Sequence, residues 1–189
     1  RWLLPRLMEW QALRPDVPVE LTTTVQHGVD LRREGFDAAV VYGEAPNHGL
    51  LVRKLFDEQL TPVCAPSLRE GPLPLQQVED LARHMLLHPS RDEHDWRLWL
   101  QAAGVTLTAQ GPKQHFETLD MAMAMASQGT GVAIGDWSLI GDDLRSGRLC
   151  MPFALKVRTG KGYYLVSQAR NLPAGLLELL DWLEGQASL

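Results

Sequence analysis

Apolar side chains at Leu3, Leu4, Leu7, Met8 and Ala12 recur at intervals of three and four, the spacing of one helix face, and Pro15 and Pro18 stop that helix. The period then changes. In "VELTTTV" Val19, Leu21 and Thr23 alternate with Glu20, Thr22 and Thr24, and the β-branched content predicts a strand. A short polar helix, "GVDLRREG", leads to "FDAAVVYG", a nearly all-apolar strand of the kind covered on both faces. The segment "LLVRKLFDEQLTPVCAPSL" has β character interrupted by Asp57 and Glu58, which predicts two extended pieces running to Pro66.

Further on, "PLQQVEDLARH" predicts a helix and "MLLHP" a buried strand. "HDWRLWLQAAG" is a helix with Trp96, Trp99, Leu100 and Ala103 along one side and Gly104 as its C-cap. Then come strand "QHFET", helix "LDMAMAMASQG", strand "VAIG", helix "SLIGDDLRSG", strands "RLCMPF" and "GYYLVS", and a last helix, "PAGLLELLDWLEG". This alternation predicts an α/β protein with largely parallel sheets. No Pro/Gly/Ser-rich linker divides the chain into halves.

The glycines Gly129, Gly131 and Gly135 invite a phosphate-loop reading, but they follow a helix and precede a strand. A phosphate loop needs the opposite order, because the helix N-terminus supplies the free N–H groups. Gly129 is better read as the left-handed residue that ends a helix.

Composition narrows the function classes. The 189 residues suffice for one large domain or two small lobes, and 45% hydrophobic content suits a globular protein. A net charge of −5 gives these residues no electrostatic reason to grip DNA or an anionic membrane. No apolar run approaches the roughly 18 residues of a membrane span, and no basic-then-apolar leader is present. Cys64 and Cys150 stand in no metal-ligand spacing, which points to reduced thiols in a cytoplasmic protein, with a single bridge between them left open. The chain opens directly on apolar periodicity without an initiator Met, as the interior of a longer protein would.

No catalytic constellation emerges. His84 and His88 are four apart, but a strand begins between them, so they do not form a helical zinc pair. His94 beside Asp95 fits a helix start. Ser138 lacks the flanking glycines of a nucleophile elbow, Cys64 fits a buried apolar thiol, and Asp142 with Asp143 fits a solvated helix face. Ligands of open α/β sheets bind beyond the carboxyl ends of strands, a region that includes Thr23, Thr24, Tyr42, Gly43, Thr118, Gly135 and Asp136. Tyr163 begins a strand and joins them only if that strand crosses between lobes. These are neutral or small groups suited to a polar metabolite without covalent chemistry.

Seven segments in order, "RWLLPRL", "VDLRREGFDAAVVYG", "LTPVCAPSL", "DWRLWLQAAG", "ASQGTGVAIG", "DDLRSGRLCMPF" and "GYYLV", resemble the effector-binding domain of LysR-type transcriptional regulators. The branch containing the glycine-cleavage activator and the β-lactamase regulator is the most similar. The resemblance spans essentially the whole chain. It implies a type 2 periplasmic-binding-protein-like fold of two α/β lobes joined by two crossover strands. Lobe one would be residues 1–64 plus 162–189 and lobe two residues 65–161, with the hinge at Cys64, Ala65, Pro66 and Tyr164.

The same resemblance implies a small-molecule effector in the interlobe cleft and no cofactor or metal. Thr118 and Tyr163 match pocket positions of the β-lactamase regulator, while Leu119 stands where that regulator has a second serine. A homo-oligomer, a dimer or tetramer, would use Leu4, Leu7 and Met8 of the first helix. The DNA-binding winged helix-turn-helix and the first strand of lobe one would lie outside this sequence. A transporter's solute-binding protein and an enzyme of the same architecture are the alternatives.

Overall fold

The computed structural model describes residues 1–24, 30–46, 49–107, 111–168 and 172–187. The chain divides into two compact units, Arg1–Glu58 with Gly160–Leu189, and Gln59–Thr159. In the first unit the opening helix, α1 (Leu3–Leu13), buries Leu7 and Trp10. A short helix, α2 (Leu31–Glu34), leads into strand β1 (Ala38–Gly43), and β2 (Leu50–Val63) runs without a break past Asp57 and Glu58 into the second unit. The two acids do not split the strand because each has a partner, Asp57 within β2 and Glu58 on β1. Lys54 pairs with Asp57, and the Tyr42 hydroxyl donates to the Glu58 carboxylate at 2.8 Å.

The second unit continues with α3 (Pro66–Glu70), which starts on the proline expected to end an extended piece, since a ring-fixed φ suits the first helical turn. A 3₁₀ turn at Val78–Arg83 replaces the longer helix expected there. The Asp80 carboxylate accepts from the Gln76 and Gln77 N–H groups and pins its start. Then follow β3 (Leu86–His88), α4 (His94–Ala103), β4 (Lys113–His115), α5 (Leu119–Ser127), β5 (Val132–Asp136), a 3₁₀ turn at Trp137–Leu139 and α6 (Gly141–Arg145). Strand β6 (Val157–Gln168) carries the chain back into the first unit, and α7 (Ala174–Ala187) completes it.

Strand order is β1-β6-β2-β5-β3-β4, and β2 and β6 each belong to both units. The sheet is mixed rather than largely parallel: β3 is parallel to β4 and β5, whereas β1–β6 and β2–β5 are antiparallel. Alternation along the strands separates two cores in the second unit. Val132, Ile134 and Leu86 face Trp96 and Trp99 of α4, while Ala133 and Leu87 face Ala122, Met123 and Ala126 of α5. In the first unit Leu165 joins Leu7, Trp10, Leu55 and α7, and its neighbours Tyr164 and Val166 pack with Leu31 on the opposite face. The apolar strands β3 and β5 are buried on both faces, whereas β1, at the sheet edge, is only half-buried on each.

Two expected strands are absent. Residues 19–24 are outside regular structure, with Thr23 and Thr24 exposed. Their alternation fits a pleated surface, but β1 pairs with β6, and among the described residues no ladder reaches 19–24. "RLCMPF" reduces to one antiparallel bridge, Cys150 with Cys64. The expected crossings at 64/65 and 161/162 compare with divisions at 58/59 and 159/160, and Gly160 there holds φ +85 within a strand, a conformation L side chains rarely adopt. Leu7, grouped with Leu4 and Met8 as an outward face, is instead 6% exposed and spent on the core of its own unit, while Leu4 and Met8 are exposed.

Gly129 has φ +77 just past α5, in keeping with the capping reading. Gly131 is constrained differently, since a Cβ there would collide with the Met85 carbonyl that accepts the Val132 N–H at 2.8 Å. Gly131→Ala is expected to destabilise the protein by about 1–3 kcal/mol through forced displacement of β3 from β5, read as a lower urea midpoint. An unchanged midpoint would refute this close approach.

Cys64 and Cys150 exchange both backbone hydrogen bonds, at 3.1 and 2.8 Å, and their free thiols lie 3.9 Å apart. A hydrogen bond from Cys64 pulls the partly exposed Cys150 thiol down to about 7, while that contact and burial push Cys64 up. Iodoacetamide should therefore label Cys150 selectively, at a rate rising through about pH 7. In Cys64→Ala the midpoint should move up toward the ordinary thiol value of about 8.5. Equal labelling of both cysteines would contradict the pairing.

Candidate functional site

Because β3, β4 and β5 run parallel, their carboxyl ends, His88, His115 and Asp136, lie on one edge of the second unit, where α4 and α5 also begin. Register pairs His88 with His115, and their rings stack at 4.9 Å and 27°. Glu93, at the start of α4, returns to this pair. Its carboxylate accepts from Lys113 at 2.7 Å and lies 3.0 Å from His115 Nε2. It does so from φ 55, ψ 18, the one positive-φ non-glycine among the described residues. The Lys113 hydrogen bond holds the Glu93 carboxyl below its ordinary range.

His88 is 3% exposed, and among the described residues neither of its ring nitrogens has a hydrogen-bond partner. Burial lowers its pKa to about 4, so the imidazole is neutral at pH 7. An open depression of about 410 Å³ beside this cluster is lined by Arg91, His115, Phe116 and Glu117. A larger one, about 500 Å³ and lined by residues such as Arg69, Leu75 and Pro152, contains none of the strand-end groups. Asp136 accepts from the Gln59 and Ser138 N–H groups at 3.1 and 3.0 Å.

The first unit assembles an aromatic group. Tyr42 and Tyr163 are register partners on β1 and β6, with ring centroids 5.2 Å apart, and Phe56 stands 4.9 Å from Tyr163. Gly43 pairs with Gly162 at the same end. The Tyr42 proton is committed to Glu58, itself only 6% exposed.

The expected ligand residues thus separate. Tyr42, Gly43 and Tyr163 come together in the first unit, and Thr118 stands at the start of α5 in the second, its hydroxyl accepting the Met121 N–H at 3.3 Å. Gly135 is buried against Met123 and Val63, where a Cβ would lie 3.2–3.3 Å from their side chains, so its missing side chain serves helix–sheet packing. Of the expected hinge residues, Cys64 and Ala65 are buried inside the second unit with Pro66 opening α3, and Tyr164 lies in the core of the first. Residue types and spacing gave no sign of the His88–Glu93–His115 cluster, since only the register of β3 on β4 brings it together.

Two α/β units strung on a pair of shared strands make this a mixed-sheet domain of the type 2 periplasmic-binding-protein kind. The chain belongs to the LysR substrate binding domain family, whose model matches residues 1–188. It is 35% identical over its whole length to the HTH-type transcriptional activator AmpR of Pseudomonas aeruginosa and 32% identical over 99% of its length to the glycine cleavage system transcriptional activator of Escherichia coli. It spans 62% and 61% of those proteins. The effector domain of P. aeruginosa AmpR superposes with a TM-score of 0.77 at 33% identity, covering 99% of this chain and 89% of that one. The relatives are regulators rather than enzymes. Among the described residues no helix is long and apolar enough to cross a membrane.

Thr118 carries a structural duty whatever else it does. Thr118→Ala should cost about 1 kcal/mol by removing the cap of α5, and Thr118→Ser should restore most of it, as measured by urea denaturation. Equal stability of the two variants would show that the hydroxyl does not cap.

Proposed function

We propose that this chain is the effector-sensing domain of a LysR-type transcriptional regulator, binding a small molecule without transforming it. The observation that carries the reading is the match of essentially the entire chain to transcriptional activators. Tyr42, Gly43 and Tyr163 in the first unit, and Thr118 in the second, are the residues to which ligand binding is assigned. Thr23 and Thr24 are retained as exposed polar groups and Gly135 as a backbone contact. The two units are the effector domain's two lobes. The chain passes between the units at Glu58–Gln59 and Thr159–Gly160, while Cys64, Ala65 and Pro66 lie within the second unit and Tyr164 within the first.

The protein acts in the cytoplasm as a homo-oligomer, at least a dimer, with DNA contacted through a separate domain. The exposed Leu4 and Met8 of α1 support that association, since they lie one turn apart on one face. An effector shifts the regulator only by the difference in its affinity for two conformations. A solute-binding role is not favoured, because the matched relatives are regulators.

A thermal-shift screen of small polar and peptide-like metabolites tests the assignment. At a hundredfold excess over Kd a ligand adds about 2.7 kcal/mol, which for a chain of this size raises Tm by roughly 5–10 °C. The shift should be lost in Tyr163→Phe and reduced in Thr118→Val, while Thr118→Ser, which keeps the cap, retains it. A hit indifferent to both Tyr163→Phe and Thr118→Val would overturn the site, and the absence of any hit would overturn the sensing role.

A further inference from the structure

We propose that His88, Glu93 and His115 form a binding site for a divalent transition-metal ion of the zinc class. Two imidazoles and one carboxylate are the donor set of a three-ligand zinc site that keeps a fourth position open. One ligand atom from each of the three residues lies within 4.8 Å of the others. In a tetrahedral site with bonds of about 2.0–2.1 Å, ligand atoms stand about 3.4 Å apart, so side-chain rotations that move each by roughly 1 Å close the cluster.

The site is built by the fold rather than by surface accident. Parallel register fixes His88 beside His115, and the left-handed backbone at Glu93 returns the chain to them. Such a conformation is strained in a residue with a Cβ and persists where the surroundings require it.

Hydrogen bonding alone accounts for two of the three side chains. Glu93 and His115 satisfy one another, with Lys113 on the same carboxylate. His88 is left over: it is buried, neutral, and without a hydrogen bond at either ring nitrogen among the described residues. A buried imidazole in that condition forfeits its hydration and recovers nothing from the protein. A metal ion supplies the missing partner to one nitrogen and takes the Glu93 oxygen that the Lys113 ammonium now holds. His115 lines the open depression with Arg91, Phe116 and Glu117, which gives an aqueous ion its path of entry. This inference concerns the second unit alone and does not depend on the effector reading.

The test is titration of the purified protein with Zn²⁺ by calorimetry, with Co²⁺ substitution to read the visible bands of a tetrahedral site. One equivalent should bind. Glu93→Gln and His115→Gln, both at partly exposed positions, should each weaken binding on the order of 10–100-fold. Lys113→Met, which removes the competing cation, should bind at least as tightly as the parent. His94→Gln, at an exposed histidine nearby in sequence, should change nothing. Circular dichroism confirms that each variant is folded, and His88→Phe is used only if it passes that check. Absence of stoichiometric binding, binding that survives both Glu93→Gln and His115→Gln as an adventitious ion only, or weakening in Lys113→Met would overturn the site.

Discussion

The parallel pairing of β3 with strands on both its sides is the constraint on which the second unit depends. Leu86 and Leu87 face Lys113 and Gln114 across one ladder and Val132 and Ala133 across the other. Side chains alternate along a strand, so a slip of one residue would exchange the contents of the two cores, moving Val132 and Ile134 from the tryptophans of α4 to the small residues of α5. The small and the large faces are not interchangeable. Trp96 and Trp99 also anchor their indole N–H groups on the Leu87 and Leu155 carbonyls, so the register is fixed by polar as well as apolar contacts. The same pairing sets three carboxyl ends and two helix starts along one edge and places His88 beside His115 there.

In the first unit the corresponding role falls to β6 between β1 and β2. Its residues are buried on both faces, and the tyrosine end of its ladder sets Tyr163 against Tyr42 and Phe56. Glu58 is the last residue of this unit on β2, and its carboxylate is nearly inaccessible. A buried carboxyl group needs a hydrogen-bond partner, and the Tyr42 phenol supplies one. An acid that interrupts the hydrophobic pattern is therefore a point at which one strand passes between two cores, not a point at which it ends.

Helices and short buried strands were legible because their signals are local: the tryptophan spacing of α4, the glycine after it, the all-apolar "VAIG". What could not be read depends on partners distant in sequence. Residues 19–24 have the composition of a strand without a ladder, "RLCMPF" keeps a single bridge, and the continuous β2 is held together at its acids by Lys54 and Tyr42. Parallel and antiparallel pairings are likewise set by topology, which helix–strand alternation does not specify once two strands cross between units. At the candidate site, Tyr42 was singled out by its place near the carboxyl end of a strand, and Tyr163, which falls in the middle of β6, by the family resemblance. His88, Glu93 and His115 were not, because neither histidine has a chemically suggestive neighbour in the chain.

The hydrogen-bond commitments of the proposed effector residues limit what they can recognise. A threonine hydroxyl has one proton and two lone pairs. At Thr118 one lone pair is engaged by the Met121 N–H, which leaves the proton and the second lone pair for a ligand. Tyr42 is the narrower case: its proton goes to Glu58, and any further bond it forms must be as an acceptor. A group bound at Thr118 can therefore be a donor or an acceptor, whereas one bound at Tyr42 has to donate an N–H or O–H. An ammonium, amide N–H or hydroxyl meets the requirement at Tyr42; a bare carboxylate does not, because the phenol oxygen already lies beside the Glu58 carboxylate.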